Sequence, residues 1–180
     1  METILINFNM SWSDKQTVKK GDIGEQIVTD YLEKKGMIVY EPVTHKAHGF
    51  DKLVTKGKDK LIIVEVKTKA RRNNFPDTGI DYRHYLGYKT VSKRHNIPVW
   101  IFFVDEMLGE IYGNNIEILE TPNSYLYQGK SLSYPLVKSY DNSKIIYFYQ
   151  PSMIKIHSLT PEQIIDIKKY SSRNYNYVNR

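Results

Sequence analysis

The chain of 180 residues is long enough for one domain with a small extension, and 41% hydrophobic residues suffice for a buried core. Cysteine is absent, which excludes disulfides, thiolate zinc sites and a cysteine nucleophile. No apolar run approaches the roughly 20 residues of a membrane span, and the start lacks a secretory pattern, so we expect a cytoplasmic protein that does not contact membranes. The 26 Lys and Arg against 20 Asp and Glu give a net charge of +6, which favours a polyanion such as nucleic acid, although many small proteins are mildly basic.

Six elements are predicted between residues 21 and 105, and helices alternate with strands. The helices are expected at 21–35 and 81–95, and the strands at 37–43, 50–55, 61–67 and 99–104. Gly36 should end the first helix, and residues 70–78 should form a loop before the start of the second helix at 78–81. This order predicts an α/β fold with an αβββαβ core and a mixed central sheet flanked by helices.

The rest of the chain is predicted to form a small β/α extension. Short strands are expected at 110–112 and 116–119, a hairpin at 132–140 and 145–149, and a helix capped by Thr160 and Gln163. The expected division is an arm or edge strand at 1–20, a core at 21–113, an extension packed on it at 114–170 and a flexible tail at 171–180.

The third predicted strand runs from an apolar stretch into alternating charge. Because side chains alternate between the two faces of a strand, Glu65 and Lys67 share a face, roughly 6 to 7 Å apart. Asp51 lies near the start of the preceding strand, and antiparallel pairing can bring it beside Glu65. Two carboxylates next to a lysine could bind Mg²⁺ and act on a phosphate. An isolated Glu-x-Lys, however, is more often a solvated salt bridge.

Asp51 followed by Glu65-Val66-Lys67 on the adjoining strand resembles the PD-(D/E)xK nuclease superfamily. Glu25, within GDIGEQIV on the first helix, matches the helix-borne glutamate of many members. Phe50 stands where a proline usually precedes the first acid, which is a mild departure. The resemblance covers about residues 21–105 and is strongest to archaeal-type Holliday junction resolvases and to related phage and restriction-like endonucleases.

The resemblance implies a restriction-endonuclease-like fold and a metal-dependent endodeoxyribonuclease, a hydrolase that acts on structured DNA in recombination, repair or replication. Asp51, Glu65 and the carbonyl of Val66 would then bind Mg²⁺, with Mn²⁺ as a substitute, and Glu25 would bind a second metal or a metal-bound water. Lys67 would position the attacking water, and the product would carry a 5′-phosphate. Because such resolvases cut symmetrically, the resemblance also implies a homodimer that binds branched DNA.

Further side chains near these motifs could contact nucleic acid. Lys69, Arg71 and Arg72 follow the strand and could bind phosphates, although each could equally be a solvated charge. His48 could touch a phosphate or could be a loop histidine without a role; a zinc site with His45 is disfavoured because cysteine is absent. Tyr85 on the second helix is predicted to support the active site, with core packing as the alternative.

Other classes of function remain open from the sequence. The same fold could serve as a non-catalytic nucleic-acid-binding module, or the basic surface could bind a protein in an inhibitory or structural role. The carboxylates could also form only a salt-bridged strand face. DNA and RNA are not distinguished. The Lys-, Tyr- and Asn-rich composition would fit a phage or mobile-element origin, and thus a host cytoplasm.

Overall fold

A computed structural model describes residues 15–43, 49–58 and 60–171 of the protein. The helices are α1 (Gln16–Lys34), α2 (Tyr82–His95), α3 (Ile116–Leu119) and α4 (Pro161–Lys169). The strands are β1 (Ile38–Tyr40), β2 (Lys52–Thr55), β3 (Ile62–Thr68), β4 (Asp77–Asp81), β5 (Val99–Asp105), β6 (Glu110–Asn115), β7 (Asn123–Tyr127), β8 (Lys130–Tyr134), β9 (Leu136–Tyr140), β10 (Ser143–Tyr149) and β11 (Ile154–Ser158). The predicted N-terminal arm or edge strand lies mostly outside the described residues, as do His45 and His48.

A mixed sheet of six strands, in the order β1-β2-β3-β5-β6-β11, forms the centre of the fold. The contact between β3 and β5 is parallel, and the other four contacts are antiparallel. A parallel pair requires a crossover connection, and here α2 lies on it. The predicted α/β class, with a mixed central sheet flanked by helices, is therefore confirmed.

Helices cover both faces of the central sheet and create two hydrophobic cores. On one face, α1 and α4 pack through Val28, Leu32 and Ile167 against residues such as Val64 and Phe102. On the other face the cover is α2 together with a smaller sheet. This second core combines Tyr85, Tyr88, Ile80, Ile146 and Phe148 with Ile63, Ile101, Phe103 and Tyr112 of the central sheet. The end of β3 thus lies between two helical layers.

The smaller sheet has the order β4-β10-β9, and its first strand was not predicted. Residues 77–81 form β4, which pairs with β10, so the prediction of a loop running into the second helix was wrong here. Gly79 explains the pairing, because a Cβ there would lie 2.8 Å from the carbonyl oxygen of Ile146. Asp81 then caps α2 by accepting a hydrogen bond from the backbone N–H of Arg83 at 2.8 Å.

Two further predictions after residue 113 need correction. Residues 116–119 form a helix and not a strand: Asn115 caps it, and Ile116 and Leu119 are buried three residues apart on one face. The predicted strand at 132–140 is divided by Pro135, which has no N–H to donate to a ladder. Its first half pairs with β7, and only its second half forms the hairpin with β10.

The helix boundaries largely follow the predicted signals. Gly36, at φ 74°, follows the end of α1, although α1 begins at Gln16 and not at Gly21. Thr160 and Gln163 form the predicted capping box of α4. In the described part of the chain, no helix has both the length and the apolar character needed to cross a membrane.

Candidate active site

The register of the central sheet brings Asp51 beside Glu65. Lys52 is opposite Val64 in the antiparallel β2–β3 pair, so the preceding residue, Asp51, is level with Glu65. The carboxylate of Asp51 accepts the backbone N–H of Val66 at 2.8 Å. This bond fixes the first acid of the predicted motif against the strand that carries the second.

Glu65 is a buried carboxylate whose two oxygens have different surroundings. The side chain is 2% exposed, and its Oε1 accepts hydrogen bonds from the ammonium of Lys67 and, at 2.5 Å, from the hydroxyl of Tyr88. Its Oε2 is also buried but has no hydrogen-bond partner among the described residues. Leaving a buried acceptor unsatisfied costs about 1 to 3 kcal/mol, and more for a charged group. Such an atom suggests that something else binds there.

The charges of the site influence one another. Burial raises the pKa of Glu65 above its usual value, while the Lys67 ammonium opposes this shift. Burial alone would lower the pKa of Lys67, but the charges of Glu65 and Asp51 outweigh it and raise the pKa. Lys67 therefore stays protonated and acts as a hydrogen-bond donor.

Glu25 reaches this site from α1. Burial, followed by the charge of Asp51, raises the pKa of Glu25 from 4.5 to about 7, against the opposing effect of Lys52 and Lys67. The helix can approach closely because Gly24 has no side chain: a Cβ there would lie 1.8 Å from Oγ1 of Thr68 at the end of β3. The predicted set of three acids and a lysine is thus brought to one end of β3.

Lys52 is a buried cation that the sequence analysis did not identify. It is 1% exposed, and its Nζ donates to Oε1 of Glu41 at 2.6 Å. Thr29 of α1 donates to the same oxygen at 2.9 Å. Strand alternation could have revealed Lys52, because it shares the face of β2 that carries the buried Val54.

The tyrosine of α2 that contacts the site is Tyr88 and not Tyr85. Tyr85 is also buried, but its hydroxyl donates to Oε1 of Glu120 at 2.7 Å, and its ring packs against Phe148. Burial, followed by the charge of Glu65, raises the pKa of Tyr88, so its hydroxyl remains a donor. Both tyrosines lie on the buried face of the helix, three residues apart, and the sequence alone does not distinguish them.

The predicted phosphate-binding residues lie along the continuation of β3. Lys69 is exposed overall, but its ammonium group is largely desolvated and donates to the carbonyl of Gly79 at 3.1 Å. This desolvation, with the nearby charge of Arg72, lowers the pKa of Lys69. Arg72 forms a two-pronged ion pair with the buried Asp77, and the backbone N–H of Arg71 donates to Asp105. His48 lies outside the described residues.

The site has some of the features of a metal centre. Among residues 15–43, 49–58 and 60–171, no three acidic or histidine side chains are gathered as the ligands of one ion. Mg²⁺, however, usually takes only one or two carboxylates and completes its shell with water and phosphate oxygens. Asp51 and Glu65 supply two neighbouring carboxylates, and Oε2 of Glu65, which no described residue contacts by a hydrogen bond, is a suitable hard donor. These residues therefore fit a Mg²⁺ site with few protein ligands.

Comparison with known proteins assigns no function to this chain. No protein-family model matches the sequence, and no curated protein matches it. A solved structure of the Holliday junction resolvase Hjc from Archaeoglobus fulgidus is similar, with 13% sequence identity and a TM-score of 0.46. The match covers 63% of this chain and 86% of the resolvase chain.

Proposed function

We propose that this protein is a metal-dependent endonuclease that hydrolyses DNA phosphodiester bonds. The observation that carries the proposal is the buried carboxylate of Glu65. Lys67 and Tyr88 bind one of its oxygens, whereas the second oxygen has no partner in the described part of the chain. A buried carboxylate oxygen without a hydrogen-bond partner is a suitable hard ligand for a cation.

Asp51, Glu65 and the carbonyl of Val66 would bind Mg²⁺, or Mn²⁺ in its place, and Glu25 would bind a second ion or a metal-bound water. When bound, the metal would polarise the phosphate and lower the pKa of a coordinated water. Tyr88 holds Glu65 by Oε1, which leaves Oε2 for the ligand. A carboxylate fixed in this way loses little freedom on binding a cation.

Lys67 would act as a donor in the reaction. In the metal-free protein the nearby carboxylates raise the pKa of Lys67, which favours its protonated form. Its ammonium would orient the water and stabilise negative charge on the phosphate oxygens. The water oxygen would bond to phosphorus as the P–O3′ bond breaks. The attacking water would release a proton to solvent and the departing O3′ would take one from solvent, which gives a 5′-phosphate and a 3′-hydroxyl.

The net charge of +6 supports a nucleic-acid substrate. We further propose that the substrate is branched or otherwise structured DNA, that the enzyme works as a homodimer, and that it acts in the cytoplasm in recombination, repair or replication. The substrate, the homodimer and the cellular role are what the resemblance of the motifs implies. Cleavage of a panel of DNA substrates tests the preference for branched DNA.

The test is cleavage of labelled four-way junction, flap, linear duplex and single-stranded DNA with Mg²⁺, Mn²⁺ or EDTA. Wild type should cut at least one substrate with metal and none with EDTA. Glu65→Gln and Lys67→Ala should each lower the rate by at least about 100-fold, because the first removes a metal ligand and the second a donor to the reacting phosphate. A matched control is Lys155→Ala, which breaks the exposed lysine–glutamate pair with Glu110 and should cut normally.

Each other outcome argues against the proposal in a distinct way. DNA binding without cutting in any metal would identify a non-catalytic binding module. Cutting that survives Glu65→Gln would place the chemistry elsewhere or reveal a contaminating nuclease. Neither binding nor cutting would favour a protein partner. The substrate cut fastest would show whether branched DNA is preferred.

A further inference from the structure

Six rings form a connected group that the proposed chemistry does not use. We call it the aromatic cluster, and it consists of Phe75, Tyr125, Tyr127, Tyr134, Tyr147 and Tyr149. The ring of Phe75 lies 4.8 Å from that of Tyr127, and Tyr134 lies 5.3 Å from Tyr149. Tyr125 links the two pairs, with centroids 6.5 Å from Tyr127 and 6.4 Å from Tyr149.

Cations are interleaved with these rings. The guanidinium of Arg72 lies between Phe75 and Tyr147, at 4.2 Å and 4.0 Å from the two centroids. The amine of Lys138 lies 5.4 Å from the centroid of Phe75. Because Asp77 neutralises and holds Arg72, this guanidinium mainly fixes the orientation of Phe75 and is not a free charge for a phosphate.

The outer rings of the cluster remain partly exposed. Phe75, Tyr125, Tyr127 and Tyr149 keep solvent contact, whereas Tyr134 and Tyr147 are buried beneath them. The surface around them is basic, since residues 121–149 carry three lysines and one acidic residue. These are Lys130, Lys138 and Lys144 against Asp141. A set of aromatic faces with surrounding lysines matches the chemistry of unpaired nucleotides, which stack their bases and present their phosphates.

The cluster adjoins the candidate active site through the chain itself. Lys69 lies two residues beyond Lys67, just past the end of β3, and the charge of Arg72 helps to lower the pKa of its amine. Arg72 in turn contacts Phe75. The segment from Lys67 to Phe75 thus leads from the candidate site to the aromatic faces, and a bound DNA strand would follow the same direction. The β7–β8 hairpin, which carries Tyr125 and Tyr127, forms a separate two-stranded sheet beside this path.

We propose that the aromatic cluster binds an unpaired segment of the DNA strand next to the cleavage site, with bases stacked on Phe75 and Tyr127. This inference rests on the proposed nuclease function and narrows its substrate to DNA with a single-stranded portion. The alternative is that the rings only pack the β7–β8 hairpin against the rest of the protein and bind no nucleic acid.

The experiment measures binding and not cutting, so that it succeeds or fails independently of the proposed function. The full chain with Glu65→Gln, in EDTA, is titrated into fluorescent 15-nucleotide oligothymidine and, separately, a 15-base-pair duplex. Replacing Tyr127 by Ala should weaken oligothymidine binding by about 5- to 100-fold, the usual range for one stacked base. Duplex binding should change less than about twofold, because it depends on phosphate contacts.

Two controls separate stacking from folding. Tyr127→Phe keeps the aromatic face and should bind like the parent protein. Leu126→Ala removes a 70% exposed side chain from the opposite face of β7 and should also have no effect. Oligothymidine containing 5-iodouracil, crosslinked by light to the parent protein, should attach at Phe75 or Tyr127.

Several results would overturn the inference. These are crosslinks that map outside the cluster, unchanged oligothymidine affinity in a folded Tyr127→Ala variant, or an equal loss of duplex affinity. Tighter binding of oligouridine would make RNA the occupant, which also contradicts the proposal. If the parent protein cuts duplex DNA but does not bind oligothymidine, the proposed function stands and this inference fails.

Discussion

Replacing Glu25 by glutamine should stabilise the metal-free protein at high pH and not at low pH. In the folded state the pKa of Glu25 is raised to about 7 from 4.5, so the folded protein binds this proton more tightly than the unfolded chain does. The contribution of Glu25 to stability is therefore greatest below the pKa of the unfolded chain. It falls as the pH rises between the two pKa values and is lowest above about pH 7. The amide of the Glu25→Gln variant carries no charge at any pH and would avoid this loss.

The size of the effect follows from the shift. A rise in pKa from 4.5 to about 7 corresponds to about 3 kcal/mol at about 1.4 kcal/mol per unit. The side chain is partly exposed, and solvent screening reduces this to about 2 kcal/mol. For a chain of this length, that is about 4 to 8 °C in melting temperature.

The assay is thermal unfolding of wild type and Glu25→Gln in EDTA at several values between about pH 4 and pH 8.5. The two proteins should melt together near pH 4 and separate by about 2 kcal/mol at pH 8.5. Glu33→Gln, on an exposed face of the same helix, is the matched control and should give no such divergence. A difference between wild type and Glu25→Gln that does not change with pH would refute this account of the site.

Three further outcomes are expected. Tyr88→Phe removes one of the two donors to Glu65. It should lower the Mg²⁺ affinity, measured by calorimetry, and the cleavage rate by about 10- to 100-fold each, while the fold is kept. Gly24→Ala places a Cβ against Thr68 and should lower the free energy of unfolding in denaturant by about 1 to 3 kcal/mol. The matched control, Gly87→Ala, has no described atom within 4 Å of the new Cβ and should raise it by up to about 1 kcal/mol. For a Mg²⁺ dissociation constant of about 1 mM, Mg²⁺ at about 10 mM should raise the free energy of unfolding of wild type by about 1.4 kcal/mol. The Glu65→Gln variant should lose this gain. Equal stabilisation of wild type and variant would contradict metal binding at this carboxylate.

The strand pairing around the site could be predicted because it depends on local alternation. The apolar run before Glu65 and the turn after Thr55 determine how β2 and β3 pair, and Asp51 follows from that register. The helix stop at Gly36 and the cap at Thr160 are likewise local signals. Such features need no knowledge of distant parts of the chain.

The errors concern contacts between distant segments. Residues 77–81 have the composition of a loop, and they become a strand only because β10, more than 60 residues later, pairs with them across Gly79. The choice between Tyr85 and Tyr88 depends on how α2 lies over β3, which no local pattern reveals. Lys52 is buried because Glu41 and α1 meet above it. In each case the tertiary environment overrides the local preference.

The antiparallel pairing of β6 with β11 has a consequence for synthesis of the protein. The last strand of the central sheet comes from residues 154–158, after the chain has made both smaller sheets. On the ribosome, the β6 edge and the buried Ile111 stay uncovered until residues 154–158 have emerged. We expect nascent chains that stop before β11 to be captured by chaperones or proteases, because this sheet edge stays open.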